Sequence, residues 1–176
     1  MNEFKPTFNF IIPIFRLLAI IIIGWFTAHF HFVILAKLIN KGLDFKTIIS
    51  ILIIELIVFM FGFSFIKGFL TQTRNFVFSN RGIEQINFLN FSKQHIQKSD
   101  ILGYSTSDVR YRIKTFKQII IYLRNGKKIE IIQFCYKNFR FIEVSLIHNE
   151  YHYFGYEPHK WKWFDSRYYQ FEETNL

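Results

Sequence analysis

The sequence predicts a membrane-embedded α-helical hairpin followed by a soluble α+β domain, a small β-barrel or bent sandwich capped by one C-terminal helix. Three observations predict it. Two unbroken apolar stretches, each bracketed by basic residues, precede Gly68. Beyond that glycine the apolar period becomes two and is punctuated by turn signals. A stretch after Cys135 then changes to a helical period.

Bulk composition supports this division. The 176 residues hold one ordinary domain plus an attachment. Hydrophobic residues make up 51% of the chain, yet charged residues still reach 20%, so the apolar surface is concentrated in one region. Of the 22 Lys and Arg residues, 5 lie up to Lys46 and 17 from Lys67 onward. The acidic residues divide as 3 and 10, which leaves the C-terminal part at +7. A cationic soluble part beside a bilayer points to attraction for anionic lipid, or to solubility and orientation alone. The sole cysteine, Cys135, excludes an intramolecular disulfide and fits a reducing compartment.

The first span reads LLAIIIIGWFTAHFHFVILA, Leu17 to Ala36, between Arg16 and Lys37. The second reads TIISILIIELIVFMFGFSFI, Thr47 to Ile66, between Lys46 and Lys67. At ~1.5 Å rise per residue each covers roughly 30 Å, the hydrocarbon thickness of a bilayer. The runs are too long for a cleaved signal peptide, and no small-x-small cleavage site follows. The short connection LINKGLDF returns the chain to its starting side. Loop and brackets carry Lys37, Lys41 and Lys46, against Lys5, Arg16, Lys67, Arg74 and Arg81 outside. The positive-inside bias therefore places both termini in the cytoplasm.

Glu55 breaks the second span. On the first, Gly24, Thr27, Ala28 and His31 recur at i, i+3, i+4 and i+7, one face of small and polar residues. Counting depth in an antiparallel hairpin puts Glu55 between Thr27 and His31, and Phe59 level with the gap at Gly24. Two readings stand: a proton or ion relay, or a polar clasp of Glu55, His31 and Thr27 fixing the register of two helices or two subunits. The clasp is expected, because one hairpin offers no pathway unless it oligomerises.

In the soluble part, IIIYLRNGKKIEII, Ile119 to Ile132, is a hairpin. A three-residue turn, Arg124-Asn125-Gly126, sets Ile121 opposite Ile129 and Ile119 opposite Ile131. That register separates apolar from polar faces better than a two-residue turn does, with Gly126 left-handed. Upstream, Asn75 to Ser79 turns at Asn80-Arg81-Gly82 into Ile83 to Leu89, and weaker strands are expected at Ile101 to Ser107 and Val109 to Lys114. Between Tyr136 and Tyr151, Phe139, Ile142, Val144, Leu146 and Ile147 approximate one helical face, with Asn138 as N-cap.

This order resembles the bacterial pleckstrin-homology-like (PH-like) domains attached to short membrane hairpins. The resemblance rests on Asn80-Arg81-Gly82-Ile83 after the first strand, Ser99-Asp100-Ile101 opening the third, Tyr122 to Ile129 around the hairpin turn, and Asn138-Phe139 before the final helix. It covers roughly Thr71 to Gly155. The chain departs from the pattern at Lys98, where such domains often carry tryptophan. The expected division is therefore residues 1–70 as N-terminal tail and spans (about 17–36 and 47–66), 71–155 as the PH-like domain that the resemblance implies, and 156–176 as an aromatic and basic tail packing on the domain or the membrane interface. It implies architecture more than activity.

Arg110, Arg112 and Lys114 alternate, so in one strand they project from one face, with Lys117 nearby. Two readings stand, an anionic-lipid or partner contact and a solvated strand face. The first hairpin turn offers too few cations for a specific phosphoinositide site. The tail FGYEPHKWKWFDSRYYQFEE sets Lys160, Trp161, Lys162 and Trp163 together, as an interfacial anchor or as cover for a barrel seam. His148 and His152, four apart, would hold a metal only with help from another element, and are expected instead as surface residues near a helix C-terminus. No P-loop, dinucleotide fingerprint or nucleophile elbow occurs.

The expected function is therefore a non-catalytic, membrane-anchored PH-like module of a bacterial inner membrane, needing no cofactor or metal. It binds a protein partner or anionic lipid at the cytoplasmic leaflet, with homo-oligomers open and no nucleic acid expected. The alternative is a subunit of an oligomeric transport or channel assembly that uses Glu55 and His31.

Overall fold

The computed structural model of the chain describes residues 3–42, 44–111, 114–162 and 167–171. The chain forms two compact units, one of Ile11–Thr73 and one of Met1–Phe10 with Arg74–Leu176.

The first unit is a helical pair, α1 (Ile11–Lys41) and α2 (Phe45–Gln72). Pro13 falls within the first turn of α1, where its missing N–H has no helical partner to lose. Within the pair, Ile11–Lys37 and Phe45–Gln72 contain 18-residue stretches of mean hydropathy 2.2 and 2.6 and are long and apolar enough to cross a membrane. No residue of α2 is buried, so Leu52, Leu56 and Phe63 display their side chains outward.

The second unit is α+β. Strands β1 (Arg74–Ser79), β2 (Gly82–Asn87) and β3 (Lys93–Gln97) form an antiparallel sheet in sequence order. Strands β4 (Ile101–Tyr111), β5 (Lys114–Leu123), β6 (Lys128–Ile132) and β7 (Tyr153–Tyr156) form a second sheet in the order β6-β5-β4-β7. β7 lies parallel to β4 and the other pairs are antiparallel. Helix α3 (Arg140–His148) follows β6. Both sheets and α3 share one core, in which Phe76, Phe78, Ile83, Ile119, Ile121, Ile131, Ile142 and Leu146 are nearly inaccessible.

Turn chemistry explains the two tight hairpins. In β5–β6 Ile121 pairs with Ile129, Ile119 with Ile131 and Tyr122 with Lys128. Gly126 sits at φ 76°, and its N–H donates to the Leu123 carbonyl at 3.0 Å. In β1–β2 a Cβ at Gly82 would lie 2.0 Å from the Ile96 carbonyl oxygen, so only glycine lets β3 approach there.

Several elements differ from the sequence expectation. The expected break between Ser107 and Val109 is absent, because β4 runs unbroken to Tyr111 and pairs from there with Lys114, the first residue of β5. β3 and β7 have no counterpart in the sequence reading. Ile142, Ser145, Leu146 and Asn149 form the buried stripe of α3, whereas Val144 and Ile147 are 52% and 61% exposed. Asn138 does not cap the helix with its side chain. Its Oδ1 accepts the Thr7 N–H at 2.6 Å, and its main-chain carbonyl accepts from Phe141.

That bond belongs to a seam made by the N-terminal segment. Phe4 and Phe78 exchange both main-chain bonds at 2.9 Å. Lys137 N–H donates to the Thr7 carbonyl, Asn9 N–H donates to the Cys135 carbonyl, and the Phe8 ring is buried in the core. The soluble unit thus takes in Glu3–Phe10, which the sequence assigns to the anchor, and satisfies the β1 edge with it. It also takes in described residues beyond Gly155, because β7 joins the second sheet at its edge and Glu157 and Arg167 bond to residues of β4.

Candidate functional site

In the helical pair, His31 Nε2 lies 2.9 Å from Glu55 Oε1, with 55% and 37% of the two side chains exposed. His31 Nδ1 bonds the Thr27 main-chain carbonyl at 2.8 Å, and the Thr27 hydroxyl donates to the Ile23 carbonyl. Thr27 therefore orients the imidazole through its main chain and does not touch Glu55 with its hydroxyl. With Nδ1–H donating to Thr27, the Nε2···Oε1 contact needs one proton, carried by either atom. Both arrangements are neutral overall, which suits apolar surroundings. Phe59 does not fill the gap at Gly24: a Cβ there would meet nothing within 4 Å. The close approach falls at Gly68, whose carbonyl accepts from Arg16 Nη1 at 2.5 Å, a second interhelical clasp. Arg16 counted as a bracket in the sequence; its bond shows that it also ties the two helices together.

The basic strand is divided by the hairpin. Arg110 lies on β4 opposite Thr115, and Lys114 lies on β5 opposite Tyr111. Register partners share a face, so Arg110 and Lys117 project to the α3 side and Lys114 to the other, over the Phe116 ring at 5.4 Å. Arg112 is outside the described residues. Lys117 pairs across the strands with Asp108, and both line a cleft of about 150 Å³ together with Thr106, Phe139 and Glu143. One cation against two carboxylates leaves the cleft net negative, which weakens it as an anion site.

The tail covers the outer face of the second sheet. Glu157 is 0% exposed, and its Oε1 accepts from Ser105 Oγ at 2.5 Å and Tyr122 Oη at 2.6 Å. Its Oε2 accepts from Gln170 N–H at 2.8 Å. Arg167, 1% exposed, donates through Nη1 to Ser107 Oγ at 3.0 Å and to Gln118 Oε1 at 2.9 Å. Of the residues expected as an anchor, Trp161 is 60% exposed, and Lys162 lies over the Tyr168 ring at 5.2 Å. Lys160 and Tyr168 form an antiparallel bridge. Trp163 is outside the described residues. The sequence reading missed Glu157 and Arg167, which nothing distinguishes locally from the other charges of the tail.

Lys98, where the resemblance expects tryptophan, donates to the Asn149 carbonyl at 2.7 Å and lies 5.4 Å from the Tyr151 ring centroid. Its ammonium thus sits at the C-terminus of α3, the favourable end for a cation. Burial pushes the Tyr104 and Tyr151 phenols up to about 12 and also raises Tyr136 well above the ordinary phenol value; at Tyr122 burial is reinforced by the Glu157 carboxylate. Among the described residues no three His, Cys, Asp or Glu side chains gather as a metal site.

No family model matches the sequence, and neither a curated protein nor a solved structure matches it.

Proposed function

We propose that this protein is a non-catalytic binding module, anchored in a membrane by α1 and α2, whose soluble PH-like domain engages anionic lipid or a protein partner at the cytoplasmic leaflet. The observation that carries the proposal is the outward apolar surface of the helical pair: 28 residues of α2 have no buried member, a surface that hydrocarbon satisfies and water does not. Two sheets about one core, closed by a helix after the last hairpin, support the PH-like reading. The charge of +7 from Lys67 onward supports anionic lipid over neutral lipid. The buried ionic groups of the soluble unit are engaged in holding its tail, which supports a binding role over catalysis. The basic residues outside the hairpin loop favour cytoplasmic termini.

The experiment uses the full chain. Resistance of its membrane association to alkaline extraction tests the anchor. Reconstituted protein is then tested for capture of neutral and anionic vesicles across a salt series. Capture of anionic vesicles only, weakened by salt, makes lipid the ligand. Charge reversal at Arg110 and Lys117, compared with reversal at Lys114, tells which face reads it. Capture of neither leaves a protein partner, and extraction at high pH overturns the anchor.

The exposure of the His31–Glu55 pair favours a second reading, in which copies of the hairpin associate through it as a transport or channel assembly. Ion flux in proteoliposomes that Glu55→Gln abolishes without unfolding would establish that reading.

A further inference from the structure

The connection between β2 and β3 carries the most exposed large apolar side chain among the described residues, Phe91 at 81%, with Leu89 at 40% beside it. Phe91 also adopts φ 54°, in the left-handed region that a bulky residue rarely occupies. The loop imposes this conformation. Asn87 Oδ1 accepts the Leu89 N–H at 2.9 Å, Asn90 Oδ1 accepts the Ser92 N–H at 3.1 Å, and the Asn87 N–H donates to the Ser92 carbonyl at 2.9 Å. A ring held outward in a strained conformation gains nothing from water, and strain of this kind gathers where a surface meets a ligand.

The connection of this loop to α1 identifies that ligand. The Phe88 ring packs against Phe8 at 5.0 Å and Phe10 at 5.1 Å, and Phe10 is joined by one peptide bond to Ile11, the first residue of α1. The apolar stretch Ile11–Lys37 has 27 residues, roughly 40 Å at 1.5 Å each, which reaches from headgroup level to headgroup level. Its first residue therefore belongs at headgroup level if α1 spans a bilayer. Leu89 and Phe91 follow Phe88 within three residues, at most about 11 Å of chain. The base of the loop continues into Lys93, whose ammonium is largely exposed and sits 3.6 Å from Glu84.

We infer that Leu89 and Phe91 form a wedge that enters the headgroup region of the bilayer, with Lys93 placed toward lipid phosphate. The inference rests on the anchor proposed above. The occupant of this surface is the lipid acyl region just beneath the headgroups, where an aromatic ring is favoured.

The test uses the full chain reconstituted in bilayers, with a nitroxide label on Leu89→Cys. Cys135 is 2% exposed, and the unsubstituted protein serves as the labelling blank. Ile57→Cys, in the middle of α2, reports the anchor, and Asn125→Cys, in the β5–β6 turn, reports water. Accessibility to oxygen is compared with accessibility to a nickel chelate. The expected result is a preference for oxygen at both 57 and 89, reversed at 125. Phe91→Gly, which removes the ring and suits the left-handed backbone, should shift position 89 toward the chelate while leaving thermal stability intact. An oxygen preference at 57 with a chelate preference at 89 overturns the wedge and keeps the anchor. A chelate preference at 57 overturns both. A label at 89 shielded from both reagents means a protein contact and overturns the wedge.

Discussion

The Arg167 guanidinium and the Glu157 carboxylate meet at 3.7 Å on the outer face of the second sheet, with 1% and 0% of their side chains exposed. At that separation the ion pair is loose, and most of the satisfaction comes from neutral partners: Ser105 and Tyr122 for Glu157, Ser107 and Gln118 for Arg167. Removing one partner strands the other charge. Arg167→Met should lower stability by about 3–5 kcal/mol, because Glu157 remains ionic and buried. Glu157→Gln keeps the acceptor oxygen for Ser105 and Tyr122 and should cost less. The double variant should lose less than the sum of the two. Chemical denaturation of the four proteins checks this; strict additivity would mean that the charges do not interact.

The His31–Glu55 contact makes a different demand. Since His31 Nδ1 is engaged with Thr27, Nε2 needs a donor or must itself be one. Gln supplies a donor without charge, so Glu55→Gln should leave the helical pair close to its original stability. Glu55→Leu supplies nothing, and the expected loss is about 0.6–1.7 kcal/mol, the range of interhelical hydrogen bonds in membranes. Reversible unfolding in detergent micelles measures both. Equal losses for Gln and Leu would mean that the contact requires the charge and would remove the neutral clasp.

The parts of the fold written in local chemistry were legible in the sequence. Gly126 and the flanking alternation fixed a hairpin register, because a slip of one residue would turn Ile119, Ile121, Ile129 and Ile131 away from the core. Depth counting brought Glu55 to His31 because helix rise is constant. What depended on distant partners was not legible. β3 reads as polar because it is an edge strand in which only Ile96 is buried. The end of β4 is polar because it runs past the shared core, so Asp108 looked like a break. Arg167 finds Ser107 and Gln118 at separations of 60 and 49 residues, and no local pattern announces a charge that a remote strand face will cover. The N-terminal segment was unreadable for the same reason: Asn138 looked like a cap until Thr7 took its side chain.

Helix α3 ends in a residue that its conformation disfavours. Tyr151 N–H donates to the Leu146 carbonyl and Glu150 N–H to the Ile147 carbonyl, the paired bonds of a left-handed C-cap, and Glu150 stands at φ 56° where glycine usually stands. Glu150→Gly should therefore raise stability by about 1 kcal/mol, since it removes the Cβ clash without touching either bond. Thermal unfolding gives the answer, with Glu150→Ala as the control that keeps the Cβ and should gain nothing. A loss with glycine would show that the Glu150 side chain contributes more than its backbone costs.

The buried phenols set the alkaline limit of the soluble unit. Burial holds Tyr104 and Tyr151 at about 12 against 10.0 for an unburied phenol, and the Glu143 carboxylate adds to the effect at Tyr104. Below pH 10 both the folded and unfolded chains keep these protons, and the contribution to stability is complete. Between pH 10 and about 12 the unfolded chain gives up its protons first, so it binds fewer than the folded chain and stability falls with rising pH. Tyr151→Phe loses the hydroxyl bond to the Ser79 carbonyl, which should cost about 1–3 kcal/mol at neutral pH. It also removes one titrating group, so its stability should decline less steeply above pH 10 than that of the parent. Denaturation curves across that range, read beside tyrosinate absorbance, compare the two slopes; parallel decline would mean that Tyr151 does not ionise on unfolding in this window.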